Sequence, residues 1–380
     1  MSGEFGEALA VAMKVLVEVG EALGAERLIP VSHAHVSGIS IFNIGVSGVE
    51  LLEKLVSMNA RVRVYTTANP YSMAIEIPQF FDEKIVALQR RVVELLTAMG
   101  IDESSFTCIP YALRRPGYGE HLAWAESSAV IYANSVLGAR TNREGGIVAL
   151  LAGIAGRTYE AGMHLDENRR PSLRILVEVP ATSIWIASAI GLYVGSVSKD
   201  IPFVSMGIDR DPVAARLYLK NFLASVATTS SLPMVFIENV TPERIDEKEL
   251  ASLERVSIDR KEIENYIEER CSSTLLLGCP HLDLDEVRYV LRKLLTNEVS
   301  KFFNHVMIFV PRRFEVSDDV RNLIIELKRR GLEVALFRGC CPVVTDLRNV
   351  VVEPLATVHG KARHYIPKLA GVPCCLVNAL

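Results

Sequence analysis

Apolar positions recur along this chain in blocks that alternate between two periods. Residues 4–24 place Leu9, Met13, Leu16, Val17 and Val19 along one helical side and close at Gly24, which predicts an amphipathic helix. Residues 61–65 alternate as a strand does and run into Thr66, Thr67, Ala68, Asn69 and Pro70, a turn signal. A charged amphipathic helix is predicted over 81–99, and residues 106–111 (FTCIPY) read as the end of a strand. Further on, strands are expected at 173–179 and 234–237. Helices are expected at 212–225 and after Pro242 and Ile258. Three strand–turn–helix units then follow: 273–277 with the helix DLDEVRYVLRKLL, 306–310 with 317–330, and 333–337 leading to a last unit around His359. Strands that alternate with helices imply parallel sheets covered on both faces, so the fold class is α/β.

The most unusual pattern lies at 121–146, HLAWAESSAVIYANSVLGARTNREGG. Its first half is apolar and alanine-rich, as in a buried helix, yet Glu126, Ser127, Ser128, Asn134 and Ser135 interrupt it. Gly138 is a natural helix end. One reading is a packing helix whose polar groups each find a partner, because an unpaired buried polar group costs roughly 1–3 kcal/mol. The other is a wall of a polar pocket with Arg140 and Arg143 at its mouth to hold an anion, since a guanidinium fork fits carboxylate and phosphate. A second candidate anion site is the turn Gly45-Val46-Ser47-Gly48, expected just before a helix starting near Val49.

The chain has 380 residues and 49% hydrophobic content, enough for several α/β units around one cleft. We place them at about 1–150, 151–270 and 271–380. The net charge of −4 offers no basic surface, so nucleic-acid binding is not expected. The start of the chain has no basic segment followed by an apolar one, and a cytoplasmic protein is expected. Residues 179–198 carry no charge, but they contain threonine, serines and glycines, so we expect an interior helix and no membrane span.

Seven cysteines without an export signal argue against a disulfide framework. No CxxC pair is present, so a zinc ribbon or ferredoxin-type run is excluded. Cys108, Cys279 and Cys341 each sit in a turn expected to follow a strand, where α/β sheets form their clefts. Three thiolates on such turns can hold an iron–sulfur cluster with one iron left open.

The segments GEALGAERLIPVSHAHVSG, HLAWAESSAVIYANSVLGARTNREGG, MHLDENRRP, GCPH and GKARHYIP resemble aconitase X, a branch of the aconitase superfamily, over nearly the whole chain. The chain has GVSG where many bacterial members have an acidic GDAG-like turn, and His359-Gly360-Lys361 where the family often has Ser-Gly-Lys. Together with the expected absence of a swivelling domain, this resembles the archaeal branch, whose members work with a separate small subunit. The resemblance implies a [4Fe–4S] cluster on Cys108, Cys279 and Cys341, with Cys340 standing beside the third. It leaves Cys271, Cys374 and Cys375 as ordinary thiols. The implied reaction is dehydration of (R)-5-phosphomevalonate to trans-anhydromevalonate 5-phosphate, the base being a serine on the partner, so that this chain alone should be inactive. Rival readings are a cis-3-hydroxy-L-proline dehydratase and a non-catalytic cluster-bearing sensor or scaffold. The substrate contacts expected are Gly45, Val46, Ser47, Asn69, Pro70, Asn134, Ser135, Arg140, Arg143 and Lys361, with Lys361 also placed among the catalytic groups. His33, His35, His121, His164 and His281 are read either as satisfied structural histidines or as residues that orient ligands.

Overall fold

The computed structural model describes residues 6–296 and 302–380. Three all-parallel sheets carry the chain. The first orders Tyr65–Ala68, His33–Val36 and Ala123–Trp124, with His33–Val36 in the centre. The second orders Phe236–Ile237, Pro202–Ser205, Leu173–Val177 and Glu254–Ile258. The third has five strands: Glu333–Arg338, His305–Val310, Thr274–Leu277, Leu355–Thr357 and Cys374–Leu376. Leu28–Pro30 and Arg157–Tyr159 add a short antiparallel ribbon. The central strand of the third sheet, TLLL, is buried along its whole length, as expected for a parallel strand covered on both faces.

The helices follow their sequence signals closely. Glu7–Ala22 and Glu83–Ala98 form where the 3.6-residue periodicity predicts them, the second capped by the Asp82 carboxylate on the Lys84 amide. Pro212–Thr229 opens with Asp211 accepting from the amides of Val213 and Ala214, and Pro212 occupies the first helical position. It packs on Ile184–Val197, which holds most of the charge-free run, and both are largely buried. No helix among the described residues is long and apolar enough to cross a membrane.

Four expectations need correction. The strand expected at 61–65 forms at Tyr65–Ala68, so Thr66, Thr67 and Ala68 belong to it and not to the turn. Residues 106–111 form no strand; they are a loop ending in the short turn Pro110–Ala112. The helix after Ser40 begins at Ile41 and not near Val49, and it is kinked at Gly45 (φ 59°, ψ −169°), so the expected turn survives as a break inside one helix. Cys271 and Cys375 are not free thiols: they form a disulfide across 104 residues, between the segment preceding Thr274–Leu277 and the strand Cys374–Leu376. Cys374 remains a buried free thiol.

Candidate active site

The carboxyl ends of the first and third sheets face one cavity of about 170 Å³. Asn69 and Pro70 follow Tyr65–Ala68, and Glu126 and Ser127 follow Ala123–Trp124. Cys279 and Pro280 follow Thr274–Leu277, Cys341 follows Glu333–Arg338, and Lys361 lies in the first turn of Gly360–Tyr365. Cys108 completes the ring, and Val343, Val344, Tyr365 and Leu369 add an apolar side. This is where the crevice of a parallel α/β sheet is expected.

One side chain knits the three cysteine loops. The His281 amide donates to Cys108 Sγ (3.2 Å), and its Nε2 meets the carbonyl of Cys340 at 3.0 Å. A carbonyl only accepts, so Nε2 carries the proton and Nδ1 accepts from the Thr107 hydroxyl (3.1 Å). His281 is also two residues beyond Cys279, and its carbonyl accepts from the buried Lys220 ammonium (2.8 Å). The segment bearing Cys108 is fixed to the first sheet by the Thr107 amide on the Ala68 carbonyl (2.9 Å).

Gly278 makes the Cys279 turn tight. It has φ 95°, and a Cβ there would lie 2.3 Å from the Phe309 carbonyl oxygen. Its amide donates to Nε2 of His359 (2.9 Å), whose Nδ1–H reaches Asn221 Oδ1 (2.5 Å). Where the resemblance led us to expect serine before Gly360, His359 thus braces the cysteine turn.

Electrostatically the cavity centres on an ion pair. Lys361 Nζ contacts Glu126 Oε1 and lies 3.3 Å from Ser128 Oγ. Glu126 also accepts from Asn69 Nδ2 (2.6 Å) and from the Ser128 amide and hydroxyl (3.3 and 2.9 Å). Burial alone would raise the Glu126 carboxyl, but the Lys361 ammonium and these donors bring it down to about 2. Burial works against the Lys361 charge, and Glu126 overcomes it and holds the ammonium above its usual range. The Cys108 thiol is pushed up to about 12 by burial and the nearby Glu126 carboxylate, with Lys361 opposing; Cys279 and Cys341 are raised by burial as well. An ammonium has three donors. Two meet Glu126 and Ser128, which leaves one for a ligand in the cavity.

Of the residues expected in the site, Cys108, Cys279, Cys341, Asn69, Pro70 and Lys361 line this cavity. Cys340 does not; it is fully buried in the apolar core behind. Gly45, Val46 and Ser47 are exposed and stand outside the lining. Asn134 and Ser135 also lie elsewhere. Asn134 donates to the carbonyls of Thr141 and Pro233 (both 2.9 Å) and accepts from the buried Arg169, and Ser135 Oγ accepts from the Val235 amide. They join the first unit to the second sheet as packing groups. Arg140 pairs with Asp166 and the His164 carbonyl, and Arg143 with the Ser230 carbonyl; neither reaches the cavity. His121 and His164 bond to each other through their Nδ1 atoms (2.9 Å), away from the lining. Sequence reasoning missed Glu126 as a site group. Its signal was a lone carboxylate at the start of an otherwise small and apolar helix.

Parallel sheets meeting around three cysteines and one lysine define a class, and matches to known proteins agree. Family models for the first, second and third domains of aconitase X match residues 1–167, 171–268 and 273–379. The chain belongs to the aconitase X family. It is 38% identical to the phosphomevalonate dehydratase large subunit of Aeropyrum pernix, covering 97% of this chain and 93% of that one. It is 34% identical to the protein of the same name from Methanocaldococcus jannaschii, at the same coverage. The cis-3-hydroxy-L-proline dehydratase of Pseudomonas aeruginosa is 34% identical, and 66% of its length is covered. A crystal structure of Thermococcus kodakaraensis aconitase X in a holo form superposes with a TM-score of 0.83 at 32% identity, covering 99% of this chain and 95% of that one.

Proposed function

We propose that this chain is the large subunit of a dehydratase that removes water from (R)-5-phosphomevalonate, giving trans-anhydromevalonate 5-phosphate, and that it works with a separate small subunit. The observation that carries this reading is the meeting of Cys108, Cys279, Cys341 and Lys361 in one cavity at the carboxyl ends of two parallel sheets. The similarity to relatives named phosphomevalonate dehydratase large subunit supports the substrate and the partner.

The donor set fits a [4Fe–4S] cluster. Soft thiolates suit iron–sulfur clusters, and a cluster spreads its ligands over separate irons, so the cysteines need only border one cavity. Cys108, with the His281 amide on its sulfur, Cys279 and Cys341 would hold the cluster. When bound, it supplies Lewis acidity for the loss of a tertiary hydroxyl group, a poor leaving group.

The chain's own groups have separable tasks. Lys361 offers its free N–H to an anionic group of the substrate, oriented by Glu126 and Ser128. Asn69 borders the same space, and Val343, Val344, Tyr365 and Leu369 give it an apolar side. Glu126 is not free to take a proton from carbon. Its oxygens are occupied by Lys361, Asn69 and Ser128, and it is held as a carboxylate. As the resemblance to aconitase X implies, the base that removes the C2 proton would be a serine of the small subunit, and the three domains of this chain supply binding and the cluster.

The test is turnover by the iron-reconstituted chain mixed with its small subunit, on phosphomevalonate, mevalonate and cis-3-hydroxy-L-proline. The reading expects dehydration of phosphomevalonate alone and none without the small subunit. Preference for hydroxyproline, or full turnover by this chain by itself, would refute it.

A further inference from the structure

Behind the Glu126–Lys361 pair runs a line of buried polar groups that none of the tasks above uses. His35 Nε2 lies 2.8 Å from Asn69 Oδ1, and His35 Nδ1 lies 2.7 Å from Thr67 Oγ1. Thr67 Oγ1 in turn is 2.9 Å from His33 Nε2. His33, His35 and Thr67 are fully buried. The line begins at the cavity, where Asn69 touches Glu126, and runs inward along the first sheet.

The direction of every hydrogen bond in this line can be derived. A carboxylate only accepts, so Asn69 must present its NH₂ to Glu126 and its carbonyl oxygen to His35. His35 must then donate from Nε2, and as a neutral ring its Nδ1 must accept. Burial keeps the ring neutral, its ordinary value being lowered to about 4. The acceptor at Nδ1 claims the single hydroxyl proton of Thr67, so His33 must donate from Nε2. That leaves His33 Nδ1 as an acceptor with nothing to accept. It is one of the buried side-chain atoms without a hydrogen-bond partner, so the line ends there. The His33 ring is held edge-on to Trp124 (centroids 5.1 Å apart) and against Tyr65 (4.8 Å), so it cannot turn freely.

We propose that His33, Thr67 and His35 are positioning residues: a one-way hydrogen-bond line that locks the Asn69 amide, and through it the Glu126–Lys361 pair, in the orientation that meets an anionic substrate. An asparagine amide has two nearly isosteric orientations, and the reversed one would set Oδ1 against the Glu126 carboxylate. Reversal would need every bond of the line to reverse with it, leaving a buried N–H of His33 unpaired at Nδ1, so the line opposes it. The geometry of the line stands on its own, while the consequence for substrate rests on the role given to Lys361 above.

Two measurements on the full chain test the idea. The first is the tautomeric state of His33 and His35 by nitrogen NMR of histidine-labelled protein at neutral pH. Both rings should be neutral with the proton on Nε2; a proton on Nδ1 of His35, or a charged ring, overturns the proposal whatever the enzyme turns over. The second compares His35→Leu with His35→Gln, whose carboxamide can donate to Asn69 and accept from Thr67. Affinity for phosphomevalonate, and turnover with the small subunit, should fall about 10–100-fold in His35→Leu, the range found when groups that orient ligands are removed, and recover largely in His35→Gln. A folded His35→Leu that binds like wild type overturns the proposal, as does a folded His35→Gln no better than leucine. If leucine fails to fold, the glutamine variant and the tautomers still decide. Should wild type itself not bind phosphomevalonate while both tautomers are as derived, the substrate reading fails and the hydrogen-bond line stands.

Discussion

Lys361 and Glu126 illustrate how much rests on single buried side chains. Removing one partner of a buried pair leaves the other charge uncompensated, which costs about 3–5 kcal/mol. Lys361→Ala should therefore be markedly destabilised in urea unfolding. The loss should be smaller at pH 5 than at pH 8, because burial without Lys361 raises the Glu126 carboxyl and lets it protonate. The double variant Lys361→Ala/Glu126→Gln should recover much of the stability, a coupling that independent surface residues would not show. By contrast, Arg140 and Arg143 are tied to Asp166, His164 and Ser230 outside the cavity. Arg140→Ala and Arg143→Ala should change phosphomevalonate affinity by less than about threefold, under ~0.7 kcal/mol by titration. A tenfold loss in either would put the anion at the mouth that the sequence first suggested.

At the scale of elements, the turns matter more than the strands they end. Gly278→Ala would need a left-handed backbone for alanine and would drive a Cβ into the Phe309 carbonyl. We expect a loss of at least ~2 kcal/mol in thermal unfolding, along with weaker iron retention, because the turn carries Cys279. The C-terminal strand–turn–helix units were legible because their strands are apolar and their helices strongly periodic. Other elements were hidden for physical reasons. Glu254–Ile258 is largely solvated, so its charges mask a strand. Cys374–Leu376 is three residues long, and only pairing with Leu355–Thr357 makes it a strand. Cys108 sits on irregular backbone held by Thr107 and His281, contacts made across the fold and invisible in residues 106–111. That Cys108, Cys279 and Cys341 sit in turns beyond strands could be read from the residues, whereas Lys361 and the ligand set came from the family resemblance. Whether Asn134 faced a ligand or Pro233 could not be read, because the same amide serves either.

Across the whole molecule, buried histidines should set the response to acid. Burial lowers His35 to about 4, and burial with neighbouring charge lowers His164 and His359 to about 3 each. Each folded value lies below the ordinary one near 6.5, so the unfolded chain binds more protons and stability is lost as pH falls below about 6.5. Glu144 opposes this. Burial raises it to about 7, so its contribution is complete below about 4.5 and fades as pH rises through 7. His33 and His281, the latter also lowered to about 4 by burial, add to these, so the histidines outweigh Glu144 and the net loss between pH 7 and pH 5 should be on the order of 5 kcal/mol. Denaturant unfolding at several pH values checks this, with His164→Gln and His359→Gln each expected to flatten the profile. A profile that rises toward pH 5 would mean that Glu144 dominates.

The same whole-molecule view makes the site a product of assembly: two sheets, distant in sequence, must meet before three sulfurs share a cavity. The most direct test is iron binding after anaerobic reconstitution of wild type and five single cysteine-to-serine variants. Wild type, Cys340→Ser and Cys374→Ser should each hold about four irons per chain, whereas Cys108→Ser, Cys279→Ser and Cys341→Ser should lose the cluster. Full iron content in any of those last three, or its loss in Cys374→Ser, would contradict the account.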